Sequence, residues 1–275
     1  MRNPHPWRRP LIIVAVLAAL VALLLTPLNA AADGRHGRQK PTIVLVHGAW
    51  ADGSSWNAVT ARLLRDGYPV RVPPNPLRSL PGDSATIADF LATLRGPVVL
   101  VAHSYGGAVI TNAATGNANV KALVYVDAFL PDQNEDVLPL AGPDSALAVD
   151  PTTVFDFVPY PEAPPGDVDL YLKRDTFLTS FANGVPRPQA ELSYAAQRPF
   201  TLSAGNQPSG VPAWRSIPSW AVVGTQDRVI PPSAQLFMAN RAHARITQVR
   251  SGHLSLVTKA AAVTDVVESA ARRTT

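Results

Sequence analysis

The chain has 275 residues, 47% hydrophobic and 16% charged, a balance that excludes a disordered polypeptide and supplies one substantial core. Its formal charge of +4 includes Arg2, Arg8 and Arg9, without which 21 basic residues face 20 acidic ones, and no basic cluster or nucleic-acid-binding motif accompanies it. The absence of cysteine excludes disulfides, thiolate metal sites and a lipid-bearing cysteine.

Residues 1–32 stand apart from any core. Three arginines flank an uninterrupted apolar run from Leu11 to Leu25, and Ala30-Ala31-Ala32 follows as a small-residue cleavage site. This is the pattern of a secretory signal peptide, with a retained membrane anchor as the alternative. Residues 33–40 are polar and read as a linker.

Thr42-Ile43-Val44-Leu45-Val46 is the first buried strand, and it runs into His47-Gly48-Ala49-Trp50. N-cap residues at Asp52 to Ser55 start a helix that reaches about Arg65. Gly67 closes that helix, and Tyr68 to Val72 forms a second strand. Pro73 to Gly82 is a proline-rich loop. Asp83 or Ser84 then caps a helix from Ala85 to Leu94, whose Ile87, Phe90, Leu91 and Leu94 share one face.

The segment Pro97 to Gly107, PVVLVAHSYGG, dominates the pattern. Its apolar run predicts a strand buried on both faces, and a helix through Ala114 follows almost at once. A serine at the apex of so sharp a turn projects its hydroxyl beside a helix N-terminus, the geometry of the G-x-S-x-G nucleophile elbow with alanine in the first position. Ala122 to Val126 is a fourth strand.

The alternation of strand and helix stops at Asp127. From Ala128 to about Ile217 the chain carries thirteen of its 27 prolines and no long apolar strand. Helices are expected near 132–140 and 167–182. An insertion between sheet strands reads as a cap over the carboxyl edge, where open α/β sheets bind ligands. Two or three of its aromatics Phe155, Phe157, Tyr160, Tyr171, Phe177, Phe181, Tyr194 and Trp214 are expected to face a pocket.

Trp220 to Val223 resumes the sheet and ends at Gly224-Thr225-Gln226-Asp227. A helix from Pro232 to Asn240, a strand from Ala244 to Val249, His253 and a C-terminal helix near Arg272 complete the chain. The expected fold is therefore an α/β architecture with about six mostly parallel strands, helices on the sheet, and the cap between strands four and five.

Ser104, Asp227 and His253 each follow a strand of this sheet, in the order Ser…Asp…His. A serine hydroxyl needs a neighbouring base, imidazole titrates near neutrality, and a carboxylate fixes its tautomer. Asp127, at the neighbouring strand end, is the rival acid. His47 and His103 read as residues that orient their turns, while His5 and His36 lie outside the fold and His243 is expected at the surface. No G-x-G-x-x-G loop and no cluster with metal-ligand spacing appears, so neither cofactor nor metal is expected.

These motifs resemble the α/β-hydrolases, in particular the group of small plant-type carboxylesterases and hydroxynitrile lyases. The likeness runs from about residue 41 to the C-terminus and is sharpest at VLVHGAW, the elbow, VVGTQD and SGH. It implies a domain over 41–275, with backbone N–H groups of Tyr105 and Ala49 forming an oxyanion hole and Trp50 as alternative donor. The lyases carry a lysine directly after the catalytic histidine, where this chain has Leu254, so the likeness points to ester cleavage. A small-molecule ester is the expected partner, contacting Trp50, Asp127, Phe129, Phe177 and Leu254. Hydroxynitrile lyase, cofactor-free haloperoxidase or non-catalytic ligand binding are the alternatives. No nucleic-acid partner is expected, and the only membrane contact is through the export signal.

Overall fold

The computed structural model describes residues 40–274; the expected signal peptide and nearly all of the linker lie outside them. A six-stranded sheet forms the centre. Its strands are β1 (Thr42–Val46), β2 (Val70–Arg71), β3 (Val98–His103), β4 (Val120–Val126), β8 (Ser219–Gly224) and β9 (Arg245–Val249). They lie in the order β2-β1-β3-β4-β8-β9, and every pairing is parallel. β1, β3 and β4 are the inner strands nearest the elbow, and nearly all their residues are buried, as a sheet covered on both faces requires. The helices are α1 (Asn57–Arg65), α2 (Leu80–Ala92), α3 (Gly106–Ala113), α5 (Pro232–Arg241) and α6 (Ala260–Arg272). α6 packs on α1, β3, β4 and β8, and α2 packs on α3. Among the described residues no helix is long and apolar enough to cross a membrane.

Two local expectations need correction. The helix expected to start after Asp83 or Ser84 begins a turn earlier, at Leu80. Ser79 is its N-cap, its hydroxyl oxygen accepting from the Gly82 N–H at 3.1 Å. Asp83 is thereby freed for another contact. The second strand shrinks to Val70–Arg71.

The cap departs furthest. Residues 155–158 (β5), 169–172 (β6) and 200–201 (β7) form an antiparallel sheet of their own, so the helix expected over 167–182 does not exist as such. Its first part is β6, in which Leu170 and Leu172 are buried while Tyr171 between them is not, a period of two. Pairing with β5, in the register Phe155↔Leu172 and Phe157↔Leu170, overrides the helical reading. Only Arg174 to Phe181 is helical, and it closes as a π turn. Over 132–140, only Val137–Leu140 is helical. Upstream, Glu135 is drawn to Arg241 of α5 by two contacts of 2.6 Å, which hold that stretch as a loop. A further cap helix, α4 (Arg187–Ala195), was not expected.

Candidate active site

The elbow is built by close packing of backbone. β3 ends at His103, α3 starts at Gly106, and Ser104 between them takes φ +54°, a left-handed conformation that non-glycine residues seldom adopt. The surroundings enforce it. A Cβ on Gly106 would lie 2.8 Å from the His47 carbonyl oxygen, and one on Gly48 would lie 2.7 Å from Ser104 Cβ. Both glycines are present because the loop after β1 and the elbow after β3 touch through their main chains.

His253 sits in the loop after β9 and is fully buried. Its Nε2 is 2.9 Å from Ser104 Oγ and its Nδ1 is 2.8 Å from Asp227 Oδ2. A carboxylate only accepts, so the imidazole proton belongs on Nδ1, and Nε2 is left to accept the serine proton. Burial lowers His253 to a pKa of about 3, so the free imidazole is neutral. Burial also pushes the Asp227 carboxyl upward, against its donors. Those donors are the N–H groups of Val229 (2.8 Å) and Ile230 (3.0 Å), the Gln235 amide (2.7 Å) and the imidazole. Four donors converge on its two oxygens, and this favours the ionised form.

Asp127, the rival acid, is equally buried but has different partners. One oxygen accepts from the Gly224 N–H at 2.8 Å and the other from the Ser255 N–H at 3.0 Å. It ties the loop that carries Asp227 to the loop that carries His253, and it reaches neither the imidazole nor the cavity beside Ser104. The expectation that it contacts substrate is therefore corrected: both of its oxygens are occupied by backbone. Burial, with Asp227 nearby, pushes its carboxyl well up.

The amides of Ala49 and Tyr105 border the space in front of Ser104, and among the described residues neither donates to a protein acceptor. Tyr105 is held by its side chain, whose O–H donates to Asp83 Oδ2 at 2.7 Å. Asp83 also accepts from the Arg78 N–H, and burial raises its carboxyl above the ordinary range. His47 Nε2 accepts from the Asn75 N–H at 3.0 Å, and His103 Nε2 donates to the His253 carbonyl at 2.9 Å. These two histidines brace loops and are not placed to exchange protons with Ser104.

A cavity of about 160 Å³ opens beside Ser104. Phe129, Leu170, Phe200 and Val229 wall its interior, and the exposed Ala148, Pro151 and Phe157 mark its mouth. Of the eight cap aromatics considered, Phe155 and Phe157 line it. Phe177 and Leu254, expected at the substrate, do not; they border a second groove on the far side of Trp50. Leu254 follows His253 in sequence, but adjacency in a loop says nothing about which side of a neighbouring indole the side chain takes. Gln235, Asp83 and Phe200 were missed from sequence. Gln235 lies one turn into a helix opened by Pro231-Pro232, the only local sign that it faces the Asp227 loop.

Residues 43–266 match the sequence profile of the Alpha/beta hydrolase family. A carbendazim hydrolyzing esterase from Nocardioides sp. is 34% identical over 110 residues, which span 35% of this chain and 46% of that protein. Polyneuridine aldehyde esterase superposes with a TM-score of 0.71 at 18% identity, covering 84% of this chain and 99% of its own. A pyrethroid hydrolase from Sphingobium faniae gives 0.64 at 20%, over 83% of this chain and 97% of its own. Tomato methylketone synthase I gives 0.71 at 19%, over 86% and 99%. At such identities the structural likeness speaks for the fold.

Proposed function

This chain belongs to the alpha/beta hydrolase family, and we propose that it is an exported serine hydrolase that cleaves carboxylic esters of small to medium acyl size. The observation that carries the reading is the unbroken line from Ser104 Oγ through His253 to Asp227, with contacts of 2.9 and 2.8 Å. In this reading Ser104 attacks the ester carbonyl while His253 Nε2 takes its proton. The oxyanion is met by the N–H groups of Ala49 and Tyr105. His253 then returns the proton to the departing alcohol, leaving an acyl-Ser104. A water activated by the same nitrogen hydrolyses it and restores the serine.

Acyl size follows from space. A dry cavity of about 150 Å³ holds a benzene-sized group, and the one beside Ser104 is about 160 Å³. Ester cleavage is also what the names of the carbendazim and polyneuridine aldehyde enzymes describe, which supports the same class here. Fluorophosphonate should label the wild-type protein, and Ser104→Ala should abolish both labelling and hydrolysis of nitrophenyl butanoate without loss of fold. A wild-type protein that is inert to the probe, and cleaves no ester, sinks the reading. The export half rests on residues 1–32. It expects a mature N-terminus near Asp33 outside the cytoplasm, and N-terminal sequencing that returns Met1 from a membrane fraction would refute it.

A further inference from the structure

Trp50 is the residue on which two separate spaces meet. On one side lies the cavity of about 160 Å³ that contains Ser104; on the other lies a groove of about 680 Å³. Trp50 lines both. It follows Ala49, one of the two free amides at the site, and it takes φ +54°, an outlying backbone conformation for so bulky a residue. Strain of this kind persists only where the surroundings over-determine it. They do so here. The indole N–H donates to the Leu170 carbonyl at 2.9 Å, and the ring packs against Phe155, Phe181 and Phe200 at centroid distances of 5.7 to 5.9 Å. The indole is thus clamped across the boundary between the two spaces.

The cavity meets one part of an ester, and the position of His253 decides which. The departing oxygen must lie toward His253 Nε2, which protonates it. The cap ring nearest His253 is Phe181, 5.3 Å between centroids, and neither residue lines the cavity, so the alcohol departs outside it. The cavity, with Ser104, Ala49 and Tyr105 at its base, is left for the acyl group.

From this we propose that Trp50 is the specificity-determining wall on the groove side of the acyl cavity: it confines the acyl group there to a roughly benzene-sized space, and the groove behind it is space that a longer chain enters once the indole is gone. The proposal rests on the serine-hydrolase reading above. Its consequence is a gain of function, which a residue serving only the fold would not give.

The test compares Trp50→Gly with wild type on nitrophenyl esters of butanoate and decanoate, and on a second series with butanoate fixed and the alcohol enlarged. Glycine suits the positive φ, so the loop keeps its conformation without the ring. Trp50→Phe, which keeps an aromatic ring of smaller size, is measured alongside in case the glycine variant folds poorly. A misfit of one methylene in a filled pocket is worth roughly ten- to two-hundredfold in kcat/KM. The decanoate-to-butanoate ratio should therefore rise at least about tenfold in Trp50→Gly, and by less in Trp50→Phe. Using a ratio removes any general loss of turnover. An unchanged ratio in variants that still take up fluorophosphonate overturns the proposal and leaves the hydrolase reading standing. A shift confined to the alcohol series overturns the assignment of the cavity to the acyl group. Wild-type protein that neither labels nor cleaves butanoate removes the premise of both.

Discussion

Replacing Asp227 by asparagine tests the charge relay geometry at its least redundant point. The side chain keeps its shape, and one amide oxygen can still accept from the Val229 and Ile230 N–H groups, as Oδ1 does now. The NH2 group then occupies the place of Oδ2, where it confronts two donors, the Gln235 amide and His253 Nδ1–H. The cheapest relief is for the imidazole to move its proton from Nδ1 to Nε2. That places a hydrogen where Ser104 must deliver one, 2.9 Å away, and the base is lost. A wrong tautomer of this kind costs about ten-thousandfold in kcat in serine enzymes, or about 5.4 kcal/mol at 1.36 kcal/mol per tenfold. Asp127→Asn is the paired variant. It sets one NH2 against a backbone N–H, which costs roughly 1–3 kcal/mol of stability, but it leaves the imidazole tautomer alone. Steady-state hydrolysis of nitrophenyl butanoate, read together with thermal melting, separates the two. A larger loss of kcat in Asp127→Asn, with Asp227→Asn keeping most of its turnover, would give the acid's role to Asp127 instead.

Burial holds His253 at a pKa of about 3, below its ordinary 6.5. The base must be neutral to act, so a lowered pKa extends activity downward, and the acid limb of kcat/KM should fall below pH 6.5; a limb at or above that value would contradict a buried neutral imidazole. Gly48→Ala puts a methyl 2.7 Å from Ser104 Cβ and 2.8 Å from the His103 carbonyl oxygen, and neither is a flexible tip. Overpacking of this sort costs roughly 1–3 kcal/mol, which for a chain of this size lowers Tm by several degrees. Unchanged melting and unchanged turnover would show that the two loops are not packed as described.

The sheet was legible because its signals are local. β1, β3, β4 and β8 are short apolar runs that need no partner to be recognised, and the elbow announces itself by following one of them at once. Ser104, Asp227 and His253 were legible for the same reason, since each stands just after a strand. The cap was misread where structure depends on distant pairing. Nothing within residues 167–182 says that Phe155–Val158 will pair with Asp169–Leu172, yet that pairing decides strand against helix. Pocket walls suffer likewise. Phe177 and Leu254 are apolar and near the right elements, but they line the groove and not the cavity, a division that only the fold and the Trp50 indole set.

Asp127 and Asp227 show what residue type leaves open. Both are carboxylates at carboxyl ends of adjacent strands, both are buried, and both are pushed upward by that burial. Their partners divide them. Asp127 spends its two oxygens on backbone amides of the two loops that must stay in register, Gly224 and Ser255. Asp227 has backbone and amide donors enough to remain ionised, and its fourth donor is the imidazole. The burial that keeps His253 neutral at rest also raises the cost of the imidazolium that the proposed attack by Ser104 would form. A carboxylate 2.8 Å away in a buried site is the group placed to offset that cost, and Asp127, turned toward the backbone, is not.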